Sequence, residues 1–450
     1  MEHMLDKRIR QKLLDVKQSL EGDSNHKLFT SDELKEYYAT FRNRFGPDKL
    51  SGQDGKALLE TMHSHGSKNS LVYWLEFKHD DEFPSTRFGS IAGGSAFKFG
   101  LFCKKETSIW TTGTPGSPRD LTVDEAIAMA RRNRDQLVAG ARLLEELPVH
   151  GSDPDYERLQ QEMERVEPNV SDSAWGHKYF HLLYPEKLDD FHNPDYQRFH
   201  LVKLLQLPPQ KKGRYIAGGR FVEIADALQM PMNTLTTILN TRDGSSPYTY
   251  WRVGTSDNKD IPANQWEMMR SGKFVGVGWD GFGSLDDITN DKAGKEAIRT
   301  RLQSTNSGMG PIAVGKAAAA LFNFRWTISN GDIVLASDVA TVLGIGRVTG
   351  DYFYDATRNF PHCRPVEWLS LTEWKQPDFE GKLTTLWRMQ KDVNLVEAER
   401  RILDAPPKPP APPPPPIPPQ RNDVKAQHVP LPLLDGMPST LGLRYIHNRN

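Results

Sequence analysis

The stretches YTYWRVG (248–254), GKFVGVGWD (272–280), GDIVLASD (331–338) and TVLGIGRVTG (341–350) decide how this chain is read. Each is a short run of apolar and small residues bounded by Gly or Asp, the composition of strands rather than of amphipathic helices. Between the second and third come two helical segments, Asp287 to Ser304 and Pro311 to Phe324, with Pro311 suited to a first helical turn. Strands around an inserted helical pair predict a small curved barrel over residues 248–376.

Outward from the barrel the pattern changes. Leu5, Ile9, Leu13, Val16 and Leu20 recur at helical spacing and stop at Gly22. Thr122 and Glu125 stand in capping-box positions ahead of a long helix whose inward stripe is Ile127, Ala130, Leu137, Ala141 and Leu144. LVYWLEF (71–77), FKFGLFC (97–103) and SIWTT (108–112) read as short strands around the Gly-rich FGSIAGGSA (88–96). Residues 1–247 are therefore expected to be an α+β, mainly helical domain with one small sheet. Residues 377–404 read as a helical segment. Residues 405–450 read as a disordered proline-rich linker, since 11 of the 14 residues from Pro406 to Pro419 are proline.

With 450 residues, 37% hydrophobic and 26% charged, the chain has material for two or three ordinary cores. A net charge of −1 excludes a protein that coats DNA through phosphate contacts alone. Across residues 248–375, 14 Lys and Arg face 14 Asp and Glu, so nucleic acid would be read through a local pocket. Two distant cysteines, Cys103 and Cys363, form neither a disulfide framework nor a metal spacing, which fits a reducing cytoplasm. The charged N-terminus is unlike a signal peptide, and no run of 18 apolar residues suits a membrane span.

Six of the ten tryptophans fall within residues 248–376: Trp251, Trp266, Trp279, Trp326, Trp368 and Trp374. Flat rings are what a flipped or single-stranded base stacks on, at about 1–3 kcal/mol per base. Buried Trp is also ordinary core, so the cluster rather than any single ring carries the signal.

YWRVGTS, GKFVGVGWD, GDIVLASD, TVLGIGRVTGDYFYD and FPHCRPVEW together resemble the EVE-type PUA-like domain. That domain is related to the YTH readers and stands ahead of the motor in McrB-type GTPases of modified-cytosine restriction systems. The region before it resembles a segment that accompanies such domains. The resemblance implies a barrel with an aromatic-walled pocket that takes a modified base, a 5-substituted cytosine among the candidates, from DNA or RNA. Carried over by motif, the lining is Trp251, Trp279 and Tyr352 or Tyr354, then Trp266, with Asp280 and Ser337 reading a base edge. HVPLPLLDGMPS (428–439) resembles the lead-in to the motor, but the sequence then ends in LGLRYIHNRN without a phosphate loop. The reading is thus a binding module for phage defence, with no cofactor and no catalysis of its own. Its partners would be a motor ATPase or GTPase and a nuclease subunit encoded nearby, with oligomerisation open.

Other motifs compete with this reading. Gly310 to Lys316 imitates the G-x-x-x-x-G-K phosphate loop, yet Ala317 stands where Mg²⁺ needs Ser or Thr, and Gly315 and Lys316 fall inside a predicted helix. Glu76 and Lys78 on a strand, with Asp54 upstream, would suit a metal-dependent nuclease; an exposed charged strand is the plainer account. The polyproline tail would suit an interaction scaffold. His177 and His181, with Asp189, Asp190 and His192 nearby, have a zinc-compatible spacing but no companion motif. Gly93, Gly94 and Ser95 suit an anion nest or, more simply, a tight turn.

Overall fold

Eleven strands form two sheets among the described residues. In this computed structural model those residues are 5–23, 28–166, 169–211, 213–256, 265–279, 281–381 and 384–406. Asp280 and the proline-rich stretch from residue 407 onward lie outside them. The architecture is α+β, and residues 1–405 make one compact unit.

The N-terminal region is helical around one small antiparallel sheet: β1 (Leu101–Cys103), β2 (Trp110–Thr114) and β3 (Ser117–Leu121). Its longest helix, Val123–Glu146, starts at a complete capping box of Thr122 and Glu125 and buries Ala130, Leu137, Ala141 and Leu144. The expected strand over 71–77 is instead a helix, Leu71–Glu76, capped by the Ser70 hydroxyl on the Tyr73 amide. Its outward positions, Tyr73 and Phe77, stand four apart on the helix but are themselves apolar, so no polar face marks the helical period, which is why composition misled here. The front of FKFGLFC is likewise a short helical turn, Ala96–Phe99, with only Leu101–Cys103 extended.

The second sheet has the order β11 (Leu386–Arg388), β4 (Tyr250–Gly254), β6 (Ile333–Asp338), β7 (Thr341–Val348), β9 (His362–Ser370) and β5 (Phe274–Val277). β8 (Phe353–Tyr354) pairs with β9 and β10 (Trp374–Lys375) with β7. The sheet curls into a half-barrel. Register shifts at Ala336/Ser337 and at Ile345/Gly346 bend it, as bulges do. Glycines make room for rings against β7: a Cβ at Gly344 would come 2.3 Å from Cη2 of Trp266, and one at Gly346 3.0 Å from Cε3 of Trp368.

Strand alternation gives the sheet two cores. Trp251 and Val253 share a core with Val275 of β5 and with Ala317, Leu321 and Phe324 of the insert and the turn that follows it, whereas Tyr250 joins Ile333, Leu335, Leu395 and Val396 on the other side. The insert is Lys292–Thr305, capped by Asp291 on the Gly294 amide at 2.7 Å, and Pro311–Phe322. Residues 377–404, expected as one helical segment apart from the barrel, supply β11 before the helix Asp392–Asp404 begins. That helix carries Glu399, which accepts from the Tyr248 and Tyr250 hydroxyls at 3.0 and 2.6 Å and pairs with Lys203 at 2.6 Å. No helix among the described residues is long and apolar enough to cross a membrane.

Candidate functional site

A cavity of about 930 Å³ lies between the Pro311–Phe322 helix and the open edge of the half-barrel at β4 and β11. Trp251 supplies part of its floor. The indole is only 2% exposed, and its Nε1 donates to Asp332 Oδ2 at 3.0 Å. The same carboxylate accepts from the Thr249 and Ser329 amides, at 2.8 and 3.0 Å, so the ring is held in one orientation. Trp279, half-buried, borders the cavity just past β5. Its approach is set by Gly278, where a Cβ would stand 2.6 Å from the Asn359 carbonyl oxygen.

The rest of the lining comes from the insert and from the edge strand. Past Phe322 the helix widens into a π-turn, Asn323–Thr327, and both terminal residues of that turn line the cavity. The Thr327 hydroxyl donates to Asn323 Oδ1 at 3.0 Å, which leaves the Asn323 amide N–H groups without a partner among the described residues. Lys316 and Arg388, both exposed and in no ion pair among the described residues, stand at the rim. Among the described residues the lining contains no carboxylate. Aromatic floor, amide donor and two unopposed cations together suit a flat ligand carrying negative charge.

Of the residues expected from the sequence, Trp251 and Trp279 meet at this cavity; Trp266, Ser337, Tyr352 and Tyr354 are not among its lining. Trp266 is buried with Met269, Phe274, Ala336 and Leu343 and packs edge-on against Trp368, centroids 4.9 Å apart. Ser337 is buried and donates its hydroxyl to the Leu335 carbonyl at 3.1 Å. Tyr352 bonds its hydroxyl to His362 Nδ1 at 2.8 Å and lies under the Arg325 guanidinium at 4.8 Å. Burial pushes that phenol up to about 12 and His362 down to about 4. Tyr354 packs tilted against the same His362, centroids 5.3 Å apart. These two tyrosines thus belong to a histidine-centred cluster rather than to the tryptophan cavity.

Sequence reasoning missed Lys316, Asn323, Thr327 and the 384–388 edge. Lys316 did stand in view, as the last residue of the phosphate-loop imitation, and it sits in the second turn of the Pro311–Phe322 helix. A π-turn and a three-residue edge strand leave no periodic trace.

The competing constellations resolve into local pairs. Glu76 is buried in a helix and paired with Lys98; Lys78 pairs with Asp80 and Glu82 at 2.8 and 2.6 Å; Asp54 binds Arg131 at 2.6 Å. The shared strand face that the nuclease reading needs is therefore absent. His177 and His181 are fully buried, His177 Nδ1 lying 3.0 Å from His192 Nδ1 and His181 Nδ1 2.9 Å from the Leu188 carbonyl. Among the described residues no three His, Cys, Asp or Glu side chains converge in a metal-holding set.

Against known families, a domain of unknown function (DUF8426) matches residues 251–386. Those bounds run from the first residue of the cavity floor to the first residue of β11. No curated protein and no solved structure matches the chain significantly.

Proposed function

We propose that residues 248–388 read a single nucleobase, and that the base enters the 930 Å³ cavity to stack on Trp279 above the Trp251 floor. The observation that carries this reading is a tryptophan-floored cavity whose charged lining among the described residues, Lys316 and Arg388, is cationic. Ligand pockets of roughly 300–1,000 Å³ that are mostly apolar with a few placed polar groups are the common form of such sites. A base needs the apolar floor and its phosphate the cations. The Asn323 amide is the group available to bond an acceptor on the base edge.

A PUA-like, EVE-type reader of a modified base, with 5-substituted cytosine first among the candidates, is the identity that motif order favours. In that setting the chain is the specificity module of a McrBC-like restriction system, acting beside a separate motor and nuclease rather than as an enzyme. Extruding a base costs a few kcal/mol, which stacking on Trp279 and phosphate contacts would offset.

The test is fluorescence anisotropy of the full chain at fixed salt. The panel holds unmodified, 5-methylcytosine, 5-hydroxymethylcytosine and N6-methyladenine duplexes, with single-stranded DNA and RNA. The expected result is a preference of tenfold or more, about 1.4 kcal/mol, for one modification. Uniform or absent binding overturns the proposal.

A further inference from the structure

A second cavity, of about 720 Å³, lies wholly within the helical region. Three segments close it: residues 86–92, the 190–193 loop, and the helix Met232–Asp243. Two of them touch only because residue 89 is glycine. Its φ is +71°, and a Cβ there would stand 2.2 Å from the Asp190 carbonyl oxygen and 2.5 Å from His192 Nε2.

Asp190 borders this cavity and is 2% exposed. Its Oδ1 accepts from the Thr236 hydroxyl; Oδ2 makes no hydrogen bond of ordinary geometry among the described residues, although the Asn233 amide, which donates to the Arg87 carbonyl, lies close enough to favour the carboxylate's charge. A buried carboxylate oxygen left unpaired is rare and costly in a folded protein, and so calls for a partner. The nearby cations are committed elsewhere. Lys178 donates its ammonium to Ser85 Oγ and the Ser85 carbonyl, both at 2.9 Å. The Arg87 guanidinium lies over the Phe29 ring at 4.4 Å. His192 is held neutral by burial, with Nδ1 against His177 and Nε2 against the Phe88 carbonyl. Around the carboxylate the lining is rich in hydroxyls and amides, among them Ser90, Thr237, Asn240 and Ser245.

We propose that this cavity is a binding site for a small ligand carrying two adjacent N–H donors on one planar carbon, and that Asp190 receives them. One oxygen makes no hydrogen bond of ordinary geometry among the described residues and the other keeps a lone pair beside Thr236, so both can accept from a guanidinium or from the amino edge of a guanine base. Anions are disfavoured by the buried carboxylate, and a purely apolar ligand would strand the hydroxyls. The site stands independently of the base-reading proposal, since it shares no residue with the tryptophan cavity.

Titration calorimetry of the full chain tests it, with agmatine and guanosine as the two sources of that donor pair and with no oligonucleotide present. Putrescine and inosine are the matched analogues that lack it. At least one probe should bind saturably, its analogue tenfold or more weaker, and Asp190→Asn should weaken it by tenfold or more. Ser245→Trp, at the exposed rim, should block the cavity equally and reports even where the Asp190 variant does not fold. Saturable binding of neither probe, equal binding of probe and analogue, or binding unchanged in the folded variants overturns the proposal.

Discussion

Replacing Trp279 by Ala removes the half-buried ring that borders the 930 Å³ cavity while leaving the Trp251 floor and its Asp332 bond in place. Base–aromatic stacking is worth about 1–3 kcal/mol, so Kd for the preferred oligonucleotide should rise by roughly 5- to 150-fold. Truncating a fully buried Trp costs about 3–5 kcal/mol of stability. Trp279 only packs against the edge of its core, so roughly half of that is expected and the variant should remain folded. Anisotropy at several salt concentrations separates the terms. Because no cation is removed, the plot of log K against log salt should keep its slope and move only in intercept. Trp279→Phe, which keeps a flat ring, should recover most of the affinity. A folded Trp279→Ala protein that binds within twofold of wild type, or one whose salt slope changes, would refute stacking at this position.

Three further outcomes follow from the packing. Glu399→Ala strips the partner from Lys203 and from two tyrosine hydroxyls, and breaking such a buried pair typically costs about 3–5 kcal/mol; urea unfolding should show it, and Glu399→Gln should lose less. Gly344→Ala drives a methyl into the Trp266 ring, so overpacking of about 1–3 kcal/mol should lower the midpoint, and an unchanged midpoint would deny that contact. Burial holds His63, His181 and His362 at about 3, 4 and 4, and His177 and His192 well below the usual histidine range. Between pH 6.5 and about 4 the unfolded chain takes up protons that these folded groups refuse, so stability falls on acidification. Asp190, raised to about 7, and Asp189, raised well above the usual carboxylate range, act in the opposite sense over much of that window. Five histidines outweigh two carboxylates, and a Tm that stays level from pH 7 to 5 would contradict that balance.

Much of the fold was legible locally. The capping box at Thr122, the proline start at Pro311 and the strands at 250–254, 274–277 and 333–338 are written in short-range rules of hydrogen bonding and side-chain alternation. The 71–77 stretch was misread because its outward face, Tyr73 and Phe77, is apolar and leaves no polar period to read. The 384–388 stretch was misread because a three-residue edge strand exists only through its partner β4.

The site divides along the same line. That tryptophans would gather in the region was visible in the sequence, and Trp251 and Trp279 do border one cavity. Which rings face a cavity and which serve the core depended on sheet curl, on Gly344 making room for Trp266, and on His362 drawing in Tyr352 and Tyr354. Short-range pattern was enough for the mixed fold class, for the helix starts after Thr122 and at Pro311, and for the tryptophan richness of residues 248–376, because these depend on neighbours a few residues apart. Long-range packing alone brings Lys316, Asn323 and Arg388 to Trp251 and Trp279, and sets Asp190 beside a second cavity with one oxygen lacking an ordinary hydrogen bond among the described residues. Those juxtapositions join residues tens to more than a hundred positions apart, and no local periodicity records them.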